Sequence, residues 1–120
     1  MLEVRVAHCG DRVVVAADGE IDLLTAGRLR DALGDAVRLA GSGSVVVDLS
    51  RVDFLDSTGV QALVDGYHTA MVAGGTLTVR GAHGTAARVL RVVGLARLLG
   101  VALRDGDADG PPWYEAERSA

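Results

Sequence analysis

The stretch VVVDLSRVDFLDSTGVQALV, residues 45–64, decides how the chain is read. Its first five residues, Val45-Val46-Val47-Asp48-Leu49, are apolar and β-branched with little alternation, the pattern of a strand covered on both faces. Its last part opens a stripe of Val60, Leu63, Val64, Tyr67 and Met71 at helical spacing, closed by Gly74-Gly75. Between the two, Phe54-Leu55 gives way to Asp56, Ser57 and Thr58. A strand therefore hands over to a helix through three polar side chains.

The same alternation of elements continues on both sides. Upstream, Leu2, Val4 and Val6 alternate with Glu3 and Arg5, Cys9-Gly10-Asp11 supplies turn chemistry, and residues 13–17 form a more apolar second strand. These two strands read as a hairpin. From Asp22 the period becomes helical, with Ala26, Leu29, Leu33, Ala36, Val37 and Ala40 on one side and Arg28, Arg30, Asp31, Asp35 and Arg38 on the other. Asp22 or Thr25 can cap that helix, and Gly41-Ser42-Gly43 ends it. Downstream, residues 76–80 read as a strand and 85–93 as a third helix, with Ala86, Val89, Leu90 and Val93 inward. A short helical turn at 95–99 and an edge strand near 101–103 complete the pattern. The expected fold is α/β: one domain over residues 1–104, with helices packed against a mixed, mostly parallel sheet. Residues 105–120, DGDADGPPWYEAERSA, are acidic and rich in Gly and Pro, and are expected to form a flexible tail carrying Trp113 and Tyr114.

Composition narrows the function. The 120 residues are 49% hydrophobic and only 3% aromatic, enough for one core built from Val, Leu, Ile and Ala. The net charge is −4 and the basic residues are scattered arginines, which argues against nucleic acid or an anionic membrane as partner. Cys9 is the single cysteine, so neither an internal disulfide nor a cysteine metal cluster can form. The N-terminus lacks the apolar core of a signal peptide, and no apolar run reaches the length of a membrane span. A cytoplasmic protein is expected.

Hydrolytic chemistry finds only fragments here. Ser57 and Gly59 form the second half of a nucleophile elbow, but Leu55 stands where its first glycine belongs. Of the three histidines, His8, His68 and His83, only His83 lies in a loop that can approach Ser57. The glycine-rich stretches GSGS (41–44) and GAHGT (81–85) lack the lysine of a phosphate-binding loop, and no acid or histidine spacing suggests a metal. As a helix start, DSTG offers Thr58 with Gln61 as a capping box, or Ser57 or Asp56 as the cap instead. One cap needs one such side chain, and here there are three.

VVVDLSRVDFLDSTGVQALV resembles the signature of STAS domains, and among them the bacterial anti-sigma factor antagonists. Gly19-Glu20-Ile21-Asp22, the strand ending in Asp48-Leu49, and Gly94-Leu95 match further motifs of that family, so the likeness runs from about Val4 to Leu103. The resemblance implies a switch by partner exchange. The unmodified protein binds an anti-sigma factor that is also a serine kinase, which releases a sigma factor. Phosphorylation of Ser57 by that kinase ends the interaction, and a serine phosphatase restores it. ATP and Mg²⁺ belong to the kinase, so the resemblance implies no cofactor and no enzymatic activity for this chain. Asp22, Asp56, Ser57, Thr58 and Gln61 carry over as the partner-binding rim, while Asp48 is read as structural. STAS domains also serve as accessory or scaffold subunits of stress-signalling or lipid-transport complexes, which is the alternative reading.

Overall fold

A computed structural model describes residues 1–95 and 99–100. The elements are β1 (Leu2–Cys9), β2 (Arg12–Ile21), α1 (Ala26–Ala40), β3 (Ser44–Leu55), α2 (Ser57–Val72), β4 (Thr76–Arg80) and α3 (Gly84–Val92). The strands lie side by side in chain order, with β1 antiparallel to β2 and β2, β3 and β4 mutually parallel. This is the mixed, mostly parallel α/β sheet that the alternation of elements implies. The strand expected at 101–103 and the tail at 105–120 lie outside the described residues.

One face of the sheet carries the core. Val13, Val15 and Ala17 from β2, Val45, Val47 and Leu49 from β3, and Leu77 and Val79 from β4 are all buried in one cluster. Leu29, Leu33 and Ala36 of α1 and Ala62 and Leu63 of α2 close over them. Each fully buried Val or Leu contributes about 1.5–3 kcal/mol. Among the described residues no polar or charged side chain is fully buried, so solvation costs little.

Three sequence expectations change. First, β3 does not stop at Leu49 but runs on to Leu55. Its register against β2 slips between Ala16 and Asp18 and again between Gly19 and Glu20, each time with an extra residue on β3. These bulges break the period-two alternation, so only Val52 and Leu55 are buried in the second half of the strand. Second, α2 buries Gly59, Val60, Ala62, Leu63, Gly66 and Ala70, while Met71 of the expected stripe is exposed. A Cβ on Gly66 would stand 3.1 Å from Leu33 Cδ1 and 3.2 Å from Leu77 Cδ1, so small residues set how closely α2 approaches α1 and β4. Third, Val93 caps the end of α3 and is half exposed rather than inward.

β4 pairs with β3 only as far as Asp48–Arg80, and an ion pair of 3.1 Å closes that last rung. Partial burial works to raise the Asp48 carboxyl pKa, but hydrogen bonds from Ser50 and the Arg80 guanidinium outweigh it and hold the group below its usual value. Asp48 is thus structural, as read. Beyond that rung α3 takes over against the rest of β3.

Candidate functional site

The polar junction sits where β3 ends. Leu55 is the last paired residue of the strand, opposite Ile21 at the end of β2, and Asp56 N donates to Ile21 O at 3.2 Å. Asp56 is in extended conformation and caps α2: its Oδ1 accepts from Thr58 N at 2.9 Å and Gly59 N at 3.4 Å, and from the Thr58 hydroxyl. The Thr58 hydroxyl, aided by the two amides, outweighs partial desolvation and holds the Asp56 carboxyl below its usual pKa. The helix therefore starts on a charged acceptor, where its dipole favours negative charge.

Gly59 explains the fourth letter of DSTG. A Cβ there would stand 2.4 Å from Leu55 Cδ1 and 2.6 Å from Ile21 Cγ2. The first turn of α2 thus lies directly on the apolar pair that ends β2 and β3. Ser57 is the first residue of that helix, and it is exposed. Its hydroxyl makes no hydrogen bond with another described residue.

The end of β2 repeats this construction one strand over. Asp22 Oδ1 accepts from Leu24 N at 3.0 Å and from Thr25 N and the Thr25 hydroxyl at 3.1 Å. These are the second and third residues after the aspartate, as at Asp56. Neither of the two caps expected for α1 binds the helix's own amides with its side chain: Thr25 precedes Ala26 without a side-chain cap, and the Asp22 carboxylate collects the amides of the turn before the helix. The Thr25 hydroxyl stands 2.8 Å from Glu20 O and accepts from Asp22 N at 2.9 Å, which tightens the turn. Just upstream, Gly19 has φ +124° and a Cβ on it would fall 2.1 Å from Met1 O, so only glycine fits there. Gly19-Glu20-Ile21-Asp22 is thereby a backbone requirement followed by a turn-holding carboxylate.

Of the residues singled out in the sequence, Asp22, Asp56, Ser57 and Thr58 stand together at the ends of two adjacent strands. Gln61 lies one turn further along α2, exposed, and its amide donates to Asp65 Oδ1 at 2.9 Å instead of reaching back to the helix start. The expected capping box is therefore not formed. His83 is held elsewhere, with Nε2 2.9 Å from Ser50 O, so the loop histidine does not complete a hydrolytic arrangement with Ser57. No three His, Cys, Asp or Glu residues cluster as a metal site among those described. Nor is any described helix long and apolar enough to cross a membrane.

Sequence reasoning missed Leu23 and Leu24. They lie in the Asp22 turn and are 75% and 91% exposed. Phe54, at 41%, is exposed on the neighbouring strand end. The available signal was a pair of leucines between an aspartate and Thr25, ahead of the first buried helix position, Ala26.

Comparison with known proteins places this rim in context. Residues 4–100 match the family described as Mlab, STAS domain. The chain is 35% identical over 89 residues to the anti-sigma-F factor antagonist RsfB of Mycobacterium tuberculosis, covering 68% of this chain and 72% of RsfB. It superposes on the crystal structure of an anti-sigma factor antagonist from Mycobacterium paratuberculosis with TM-score 0.77 and 28% identity, over 99% of this chain and 93% of the other. The Bacillus cell fate determinant SpoIIAA in its phosphorylated form shares the fold, with TM-score 0.68 and 16% identity, over 98% of this chain and all (100%) of the other.

Proposed function

This chain belongs to the STAS domain family, and from that premise we propose that it is an anti-sigma factor antagonist switched at Ser57. The observation that carries the proposal is Ser57 itself, an exposed hydroxyl at the first position of a helix whose cap is already supplied by Asp56. Among the described residues no structural contact uses it. The names of the mycobacterial relatives support the class of function. In this reading the unmodified rim binds an anti-sigma factor with serine kinase activity, and a sigma factor is released. The kinase transfers the γ-phosphoryl group of ATP to the Ser57 oxygen, giving ADP, and a serine phosphatase hydrolyses the ester.

The electrostatics give this switch its sign. A phosphoserine carries about −1.5 to −2 charges at neutral pH. At Ser57 it adds to a rim holding Asp22, Asp53 and Asp56, with no basic residue at positions 20–25 or 53–58. The helix N-terminus tolerates the charge, so the fold stands. A partner face that buries the rim does not. Breaking a buried charged contact typically costs about 2–5 kcal/mol, or roughly 30-fold to several-thousand-fold in affinity.

Calorimetric titration against each purified anti-sigma factor of the source organism tests this. Wild type should bind one of them, and Ser57→Asp should bind it at least about 30-fold more weakly while melting normally. Equal affinity of the two folded proteins would leave DSTG as a helix start and nothing more. The alternative reading of the sequence is an accessory or scaffold subunit of a stress-signalling or lipid-transport complex. A stable complex with a transporter ATPase, and none with an anti-sigma factor, would establish it instead.

A further inference from the structure

We propose that Leu23 and Leu24 are the apolar anchor by which the anti-sigma factor docks, and that Asp22 is a positioning residue that presents them. This deepens the reading of Ser57 as the switch and rests on it. The two leucines are 75% and 91% exposed, although apolar side chains of that size lose most by facing water. They are not loosely exposed. Asp22 Oδ1 fixes the Leu24 and Thr25 amides, and the Thr25 hydroxyl is tied back to Glu20 O, so the turn is held before any partner arrives. Preorganisation of this kind lowers the ordering cost of binding.

The placement says which partner. Leu23 follows Asp22 as Ser57 follows Asp56, and the two aspartates continue a paired couple, Ile21–Leu55, on neighbouring strands. Paired strand ends lie about 5 Å apart, so the two turns leave the same edge of the sheet side by side, and the partner that covers Ser57 is the one proposed to reach Leu23. Asp22 adjoins the leucines in the chain, Asp56 follows the paired strand end Leu55, and no arginine stands at positions 20–25 or 53–58. The complementary surface is an apolar pocket bordered by basic groups on the anti-sigma factor.

Asp22 Oδ1 is engaged within its own turn, which is the basis for giving this residue a positioning role. A cycle of variants separates the roles. The anti-sigma factor that binds wild type is titrated with Leu23→Ser/Leu24→Ser, Asp22→Ala, Asp22→Asn, and Asp22→Ala combined with the leucine pair. The leucine variant should melt as wild type and bind about 30-fold or more weakly, the range of an interface hot spot. Asp22→Ala should weaken binding too, yet add nothing on the leucine background, because it acts through the leucines. Asp22→Asn keeps an acceptor oxygen and should retain most of the affinity. Unchanged affinity of the folded leucine variant overturns the anchor while leaving the Ser57 switch intact. Additive losses, or failure of Asp22→Asn to rescue, overturn the positioning role. Sedimentation of the protein alone completes the test: self-association that the leucine variant abolishes would make a second copy the occupant and overturn the proposal. If wild type binds no anti-sigma factor, the functional reading falls and takes this one with it.

Discussion

Two turns at the ends of β2 and β3 are built alike and put to different use. Ile21-Asp22 and Leu55-Asp56 each pair an apolar strand end with an aspartate whose Oδ1 gathers the amides of the second and third following residues. After Asp56 the chain enters α2 at once, and Gly59 drops the first turn onto the core. After Asp22 it takes a wider path, and α1 begins only at Ala26, which leaves Leu23 and Leu24 outside. The position just after the aspartate is exposed in both turns, a hydroxyl in one and a leucine in the other. The carboxylates in such a pair hold the backbone. In the proposed reading, recognition falls to what stands beside them.

The sharpest way to break the comparison is Gly59→Ala. Its Cβ would run into Leu55 and Ile21, and overpacking of that kind costs about 1–3 kcal/mol. Chemical denaturation should show the loss, whereas Gly27→Ala in α1, with nothing within 4 Å of the new Cβ, should show none. Equal stability for the two would mean that α2 is not seated as described.

Removing the cap at Asp56 comes next. Asp56→Ala should cost about 1 kcal/mol, the usual worth of a helix cap. Asp56→Asn keeps an acceptor and should cost less. The pH dependence follows from the depressed carboxyl pKa. A carboxyl lowered on folding stabilises the protein above its unfolded value, about 3.9, and loses that contribution as pH falls through the folded value. The advantage of wild type over Asp56→Asn should therefore be full at neutral pH and shrink below about pH 4. Thermal melts across that range decide it, and a constant difference would contradict the assignment.

The smallest effect belongs to Ser57→Ala. Because Asp56 is the cap, the substitution should stay within about 0.5 kcal/mol of wild type in a thermal melt, as surface changes usually do. A loss near 1 kcal/mol would mean that the serine shares in capping and that the two turns differ less than their geometry says.

Much of this was legible in the residues, and the exceptions have physical causes. The stripe Ala26, Leu29, Leu33, Ala36 and Val37 is the buried face of α1, and Gly41 ends that helix with φ 57°. In α2 only Met71 of the expected stripe misled, because close packing selects small residues, Gly59 against the ends of β2 and β3 and Gly66 against α1 and β4, which a search for large apolar side chains passes over. The second half of β3 hid behind its bulges, which turn alternation into burial of Val52 and Leu55 alone. At the rim, DSTG announced itself by an excess of polar groups. Leu23 and Leu24 did not, because an apolar pair beside an apolar helix reads as core until the turn that excludes it is seen. The resemblance to STAS domains supplied Ser57 and its neighbours, but no residue type or spacing showed that the Asp22 carboxylate would hold the turn ahead of α1 rather than the helix itself.

The seat of Gly59 on Ile21 and Leu55 also bears on timing. With no room for even a methyl group beneath its first turn, α2 is seated tightly on the core, while Ser57 stands on its exposed side. On the proposed reading, then, modification rewrites a surface and sets no internal rearrangement in motion. No slow conformational step of the kind that takes microseconds to seconds in other regulators stands between the chemical event and its readout. The tempo of such a circuit is that of its kinase, its phosphatase and the dissociation of its complexes, and this small domain adds no delay of its own.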